Sequence, residues 1–133
     1  MFRIKYSREV TLKLLYQIDV LDLGEKAGRD ILENNLNFFK GLNQKEKDFI
    51  QKMVLQVLSN IRTIDDQISK LLIDWSLKRL TPVDRNLLRM GIAESSFNTE
   101  KAIIIDDIIR ISKKYSGEDS YKIINAILDK VIV

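Results

Sequence analysis

The chain of 133 residues has no cysteine, no histidine, a single proline (Pro82) and only five glycines. Without cysteine it has neither a disulfide framework nor a thiolate metal site. Without histidine it lacks the usual general base, the usual partner of a nucleophile and the commonest transition-metal ligand. No apolar run exceeds the four residues from Ala102 to Ile105, too short to cross a membrane. The opening "MFRIKYSREV" has no apolar core of a signal peptide, so the cytoplasm is the expected compartment. Neither G-x-x-x-x-G-K-[ST] nor G-x-G-x-x-G occurs, and nucleotide phosphates have no evident cradle. Two acidic pairs remain, Asp65-Asp66 and Asp106-Asp107. Adjacent helical residues point about 100° apart, so neither pair converges on a metal or shares a proton. Asp66 reads as a helix cap and Asp106 as the partner of Arg110 one turn on. No catalytic constellation assembles and no cofactor is implied; the expectation is a protein that binds rather than catalyses.

The chain does have helical patterning. It is 45% apolar and 31% charged, the profile of a folded protein, and its length suits one domain spanning 1–133 with a core that needs no staples. Apolar residues recur at spacings of three and four. They predict a first helix from Ser7 to Asp22, burying Val10, Leu14, Ile18 and Leu21 and stopping at Gly24. A second, Gly28 to Lys40, carries Ile31, Leu32, Leu36 and Phe39. Asn43 with Glu46 forms a capping pair that opens a third, and Thr63 with Asp66 repeats the pattern for a fourth ending near Trp75. Thr99 is read as the cap of a sixth helix, whose wide isoleucine stripe marks it as the most buried; Tyr115 belongs to that stripe. Ser116-Gly117 breaks it, and a last helix buries Tyr121, Ile124, Ile127, Leu128 and Val131. About seven helices with short connections and no hairpin signal make an all-α domain.

The fifth helix opens on Thr81-Pro82-Val83-Asp84. Threonine accepts from a free backbone N–H, proline suits the first helical position, and Asp84 faces the positive end of the helix dipole. Arg85 and Arg89 then stand four residues apart, a spacing at which like charges repel. The net charge is only +3, but residues 1–16 and 76–90 each carry four cations against one carboxylate. Brought together, the two segments would form one electropositive surface; apart, they are solvated helix faces. On the first helix Arg8 and Tyr16 lie about 80° apart. An arginine and a tyrosine on one side suit unpaired RNA, whose bases stack on aromatics while cations hold phosphate. The same positions also suit a second buried face of Leu12, Leu15 and Tyr16, with Arg8 solvated.

Three segments resemble a known family. "SREVTLKLLYQID" is similar to the opening helix of the NusB family of bacterial transcription antitermination factors. "DWSLKRLTPVDRNLLRMGIAE" resembles its W-x-x-x-R-L-x-x-V-D-R-x-x-L-R segment, and "GEDSYKIINAILDKV" its closing helix. The chain departs from the family where I-N-E becomes Ile105-Asp106-Asp107, where a tyrosine-glutamate pair becomes Ala93-Glu94, and where a glycine becomes Ala126. The resemblance implies the NusB fold, two packed helical subdomains. It also implies binding of boxA RNA in nascent ribosomal transcripts together with NusE, a small-subunit ribosomal protein, so that RNA polymerase reads through terminators. The RNA contacts it implies are Arg8, Tyr16, Arg89, Asp119, Ser120 and Lys122, with Arg79 and Asp84 towards NusE. On this reading Arg89 faces phosphate while Arg85 is held by internal carboxylates. Two other readings fit the same helices. One is an accessory module like the N-terminal part of an rRNA cytosine methyltransferase, although no cofactor-binding segment follows Val133. The other is a helical adaptor that contacts only protein.

Overall fold

A computed structural model describes residues 1–39, 41–72 and 77–133. The expected end of the second helix at Lys40, and Trp75, lie outside the described residues. Among the described residues there are seven α-helices, three single-turn 3-10 helices and no strand. The α-helices are α1 (Ile4–Val20), α2 (Glu25–Asn35), α3 (Gln44–Ser59), α4 (Ile61–Ser69), α5 (Pro82–Glu94), α6 (Lys101–Tyr115) and α7 (Ser120–Val131). α1, α2 and α3 pack on one another, as do α5, α6 and α7; α4 lies against α5 and α7, and α1 and α3 join the two groups by packing on α5. No described helix is long and apolar enough to cross a membrane.

Two caps form as their sequences dictate. The Asn43 side chain accepts from the backbone N–H of Glu46, while the Glu46 carboxylate accepts from the backbone N–H of Asn43, a reciprocal capping box. Thr81 accepts from the Asp84 N–H at 3.1 Å, with Pro82 at the first helical position.

Other expected boundaries move, each for a local reason. α1 starts a turn before Ser7, whose hydroxyl donates back to the Arg3 carbonyl. The Arg3 backbone N–H instead finds the Glu46 carboxylate of α3. α1 ends at Val20, Asp22 turns the chain through a left-handed conformation (φ 53°), and Leu21 is left 55% exposed. Gly24, expected as a stop, is the N-cap of α2. The bend before α4 falls at Asn60 rather than Thr63, because the Asn60 amide donates to the Gln56 carbonyl and closes α3 there. α6 begins after Glu100, and no side chain caps it, Thr99 included.

The most buried helix is α5, not α6. Ten of its thirteen residues are buried, because α1, α3, α4, α6 and α7 all pack against it. α6 buries Ile104, Ile105, Ile108 and Ile111 but turns Ile103, Asp106 and the Lys113-Lys114-Tyr115 end outward. Gly91 lets α7 approach: a Cβ there would stand 2.9 Å from Leu128 Cδ2.

Candidate nucleic-acid interface

Two arginines expected at a surface, Arg8 and Arg89, are inside. Arg8 is 1% exposed, and its guanidinium donates to both Glu94 oxygens (2.8 and 2.6 Å) and to Asp107 Oδ2 (2.9 Å). Burial pushes its pKa down, but Glu94 and Asp107 outweigh that and hold it above the usual value. All three guanidinium nitrogens of Arg8 are engaged by carboxylates from α5 and α6. Asp106, expected to pair with Arg110, is exposed; Arg110 bonds Asp107 and Glu9 instead.

Arg89 is likewise buried. Its Nε and Nη2 donate to the two Asp65 oxygens (2.8 and 2.9 Å), and Nη1 donates to Asp19 (3.1 Å) and Asn86 (3.0 Å). Arg85 takes both oxygens of the same Asp19 and also donates to the Leu80 carbonyl. The two arginines tolerate their spacing because Asp19 lies between them and Asp65 neutralises the second. Arg85 is therefore internal as expected, and Arg89 is internal against expectation. Burial tends to raise the pKa of Asp19, but hydrogen bonds from Arg85 and Asn86 and the nearby charges hold it below its usual value.

Arg3, too, is a structural cation: it bonds Glu46 through Nε and Nη2 and the Gly41 carbonyl through Nη2. Of the basic residues in the first sixteen, Lys5 and Lys13 are the exposed ones not engaged in such a clamp.

What does gather at the surface is a groove of about 290 Å³ between α1, the start of α5 and the end of α6. Leu12 forms its floor; Lys13, Tyr16, Val83 and Tyr115 line the rest. Tyr16 is 42% and Tyr115 39% exposed. Tyr115, at the last residue of α6, lies outside the core stripe. Its hydroxyl donates to Glu9 (2.8 Å), which fixes the ring at the groove wall.

Beside Val83, Asp84 is 8% exposed and accepts from the hydroxyls of Ser116 and Ser120. A carboxylate spent on those two bonds holds the α6–α7 turn and is not presented to a partner protein, contrary to its expected role. The same bonds set the first turn of α7 next to the groove. There Asp119 and Lys122 form an exposed pair at 3.3 Å, and Lys113 sits 4.7 Å above the Tyr121 ring. Arg79 is exposed on the 3-10 turn Leu77–Arg79.

The structure thus places Tyr16 in the groove, ties Ser120 to Asp84 beside Val83, leaves Asp119, Lys122 and Arg79 exposed, and buries Arg8, Arg89 and Asp84. Lys13, Val83 and Tyr115, which line the groove, were not among the contacts expected from the sequence. Lys13 and Tyr16 stand three apart, off the core stripe, a signal that could have been read. Among the described residues no group of carboxylates is placed to hold a metal ion.

Comparison with known proteins agrees with this architecture. The family model described as the NusB family matches residues 5–133. The transcription antitermination protein NusB of Desulforamulus reducens is 33% identical over 130 residues, covering 96% of this chain and 88% of the relative. The structure of T. maritima NusB superposes with a TM-score of 0.88 at 32% identity, covering 99% of this chain and 92% of that one. NusB in a crystal structure of the antitermination factors NusB and NusE in complex with dsRNA matches with a TM-score of 0.79 at 29% identity, over 96% of this chain and 94% of that one. Sequence and backbone agree from the first helix to the last, and the chain belongs to the NusB family.

Proposed function

We propose that this protein is a transcription antitermination factor. It binds boxA RNA of nascent ribosomal transcripts together with the ribosomal protein NusE, within an RNA polymerase antitermination complex, and acts by binding rather than by catalysis. One observation carries the placement of the RNA: the groove at which two exposed tyrosines and Lys13 meet. Unstacked bases pack on tyrosine faces, and lysines hold phosphate without demanding a fixed geometry. The path of the RNA runs from Lys13 and Tyr16, past Tyr115, to Ser120 and Lys122 at the start of α7. Asp119 lowers affinity locally rather than driving it. Arg79, exposed on its turn, is the candidate contact for NusE. Arg8, Arg89 and Asp84 support this surface from within.

The test is titration of the folded protein with a boxA-like RNA, with and without NusE, over a range of salt. Binding is weak alone and tighter with NusE. Tyr16→Ala removes a stacking platform and costs about 1–3 kcal/mol of binding. Lys13→Ala flattens the salt slope by about 0.7, the value for one phosphate contact on a single strand. Equal binding of an unrelated RNA in the presence of NusE would overturn the sequence-specific reading. Unchanged binding in both variants would move the RNA off this groove.

A further inference from the structure

The exposed side of α1 carries Lys5, Glu9, Lys13 and Tyr16 at spacings of four, four and three, one continuous stripe. Against it lies the outer edge of α6, with Arg110, Lys114 and Tyr115. Four of these seven residues are cations and one is an acid. That acid, Glu9, sits where the donors converge. Its Oε1 accepts from Lys114 Nζ (2.8 Å) and the Tyr115 hydroxyl (2.8 Å), and its Oε2 accepts from Arg110 Nη1 (3.1 Å). The Glu9 side chain is 12% exposed, whereas Lys114 is 55% exposed, so the cation is within reach of a ligand while the carboxylate lies beneath it.

Ammonium, guanidinium and phenol donors converging on a pair of oxygens form the donor set that holds a phosphate. In this fold a carboxylate of the chain itself fills it. Burial pushes the Glu9 carboxyl up, but the bonds from Lys114, Tyr115 and Arg110 outweigh that and hold it at about 2. Glu9 therefore stays ionised throughout the neutral range, and only a competing anion can take over its donors.

We propose that Glu9 is a built-in competitor for RNA phosphate: it occupies the donors of the α1–α6 seam and keeps the affinity of the groove for any RNA backbone low. The inference rests on the RNA-binding reading above. It assigns the seam as a phosphate subsite continuous with the groove, because Tyr115 is both a ligand of Glu9 and a wall of the groove. Weak sequence-independent attraction is useful to a protein that must select one short RNA element, since phosphate contacts raise affinity for every sequence alike. The charge of Glu9 cancels about one of the seam's cations.

The experiment compares wild type, Glu9→Gln, Glu9→Ala and Glu9→Gln/Lys114→Met, each confirmed folded by thermal melting. The ligands are a boxA-like single-stranded RNA and oligouridine of the same length, with NusE present, titrated across salt. Glutamine is isosteric and its carbonyl still accepts hydrogen bonds, so Glu9→Gln removes charge while keeping the packing. Deleting one negative charge a few ångströms from a bound phosphate tightens binding by about three- to tenfold at low salt. The gain is the same for both RNAs, and the salt slope steepens by about 0.7. Glu9→Ala gives the same direction, and the double variant loses the gain because Lys114 carries it. If wild type binds and Glu9→Gln is no tighter, the inference fails while the functional reading stands. Weaker binding by Glu9→Gln also overturns it and makes Glu9 a positioning residue for Tyr115. If neither wild type nor Glu9→Gln binds RNA, the functional reading itself falls, and this inference with it.

Discussion

Replacing Arg8 by alanine separates a structural arginine from an RNA-binding one. The wild-type guanidinium bridges Glu94 of α5 and Asp107 of α6, whose side chains are 1% and 5% exposed. Arg8→Ala leaves both carboxylates in the interior. Asp107 keeps one bond from Arg110, but Glu94 keeps no side-chain donor among the described residues. Breaking a buried pair by removing one partner costs about 3–5 kcal/mol, because the remaining charge is uncompensated. For a chain of this size that lowers the melting temperature by about 10–20 °C. Far-UV circular dichroism melts and urea midpoints measure both. A loss below about 1 kcal/mol, the worth of an exposed pair, would refute the buried placement.

A second variant tests whether the cost is electrostatic. Arg8→Met/Glu94→Leu/Asp107→Leu replaces the whole triad by apolar groups of similar volume. Such replacements are often neutral or stabilising, so the triple variant recovers most of the loss; Arg110, freed from Asp107, keeps Glu9 and solvent. If the triple variant melts no higher than Arg8→Ala, the loss is one of packing rather than of stranded charge. RNA binding supplies the third readout. At low temperature, where Arg8→Ala is still folded, its salt slope equals that of wild type. A phosphate-contacting arginine would give the reverse pattern, unchanged stability with a flattened slope.

Thr81→Ala removes the acceptor for the Asp84 N–H and lowers stability by about 1 kcal/mol while RNA binding is retained; lost binding at unchanged stability would contradict the cap assignment. Acid also weakens the fold. Glu46, through its bonds from Arg3, and Glu9, through the donors that outweigh its burial, are held at about 2 against an ordinary 4.5. A carboxyl depressed in the folded state contributes stability above its unfolded pKa and loses it as pH falls through the folded one. Urea midpoints therefore decline from about pH 5 towards pH 2, and a flat profile over that window would show the two carboxylates unpaired in solution.

Caps were legible where their partners fall within three residues. Asn43 and Glu46 satisfy each other, and Thr81 takes the N–H of Asp84, so at both caps tertiary packing had little left to change. Thr63 with Asp66 and Thr99 have the same chemistry and cap nothing, because α4 is already under way at Thr63 and α6 starts only after Glu100. The start of α1 is decided by a carboxylate 43 residues away, which takes the Arg3 N–H and frees Ser7 to sit inside the helix. The core of the α7 stripe was legible from apolar spacing: Ile124, Ile127 and Leu128 are buried as expected, with Tyr121 and Val131 half-buried at its ends. The prominence of α5 was not, because burial on all sides depends on how many helices choose it as a neighbour. The destination of an arginine is the least local property of all: the partners of Arg8 lie 86 and 99 residues along the chain.

That distance also explains why Arg8 and Arg89, expected at a surface, are found in the interior. Arg8 with Glu94 and Asp107, and Arg85 and Arg89 with Asp19 and Asp65, form networks in which carboxylates match or outnumber guanidinium groups. Their positive charge is balanced within the networks, however basic their segments look in sequence. Planar guanidinium forks bind two carboxylate oxygens at once and tolerate dehydration, so this fold buries arginine where α1 crosses α5. A lysine ammonium is more strongly hydrated and keeps its head in water on an apolar stem. Lys5, Lys13, Lys113, Lys114 and Lys122 are accordingly all exposed. The electropositive surface that two basic segments suggested is therefore a lysine surface running along α1, the end of α6 and the start of α7. Its strength is set by the one acid that α1 places among those lysines.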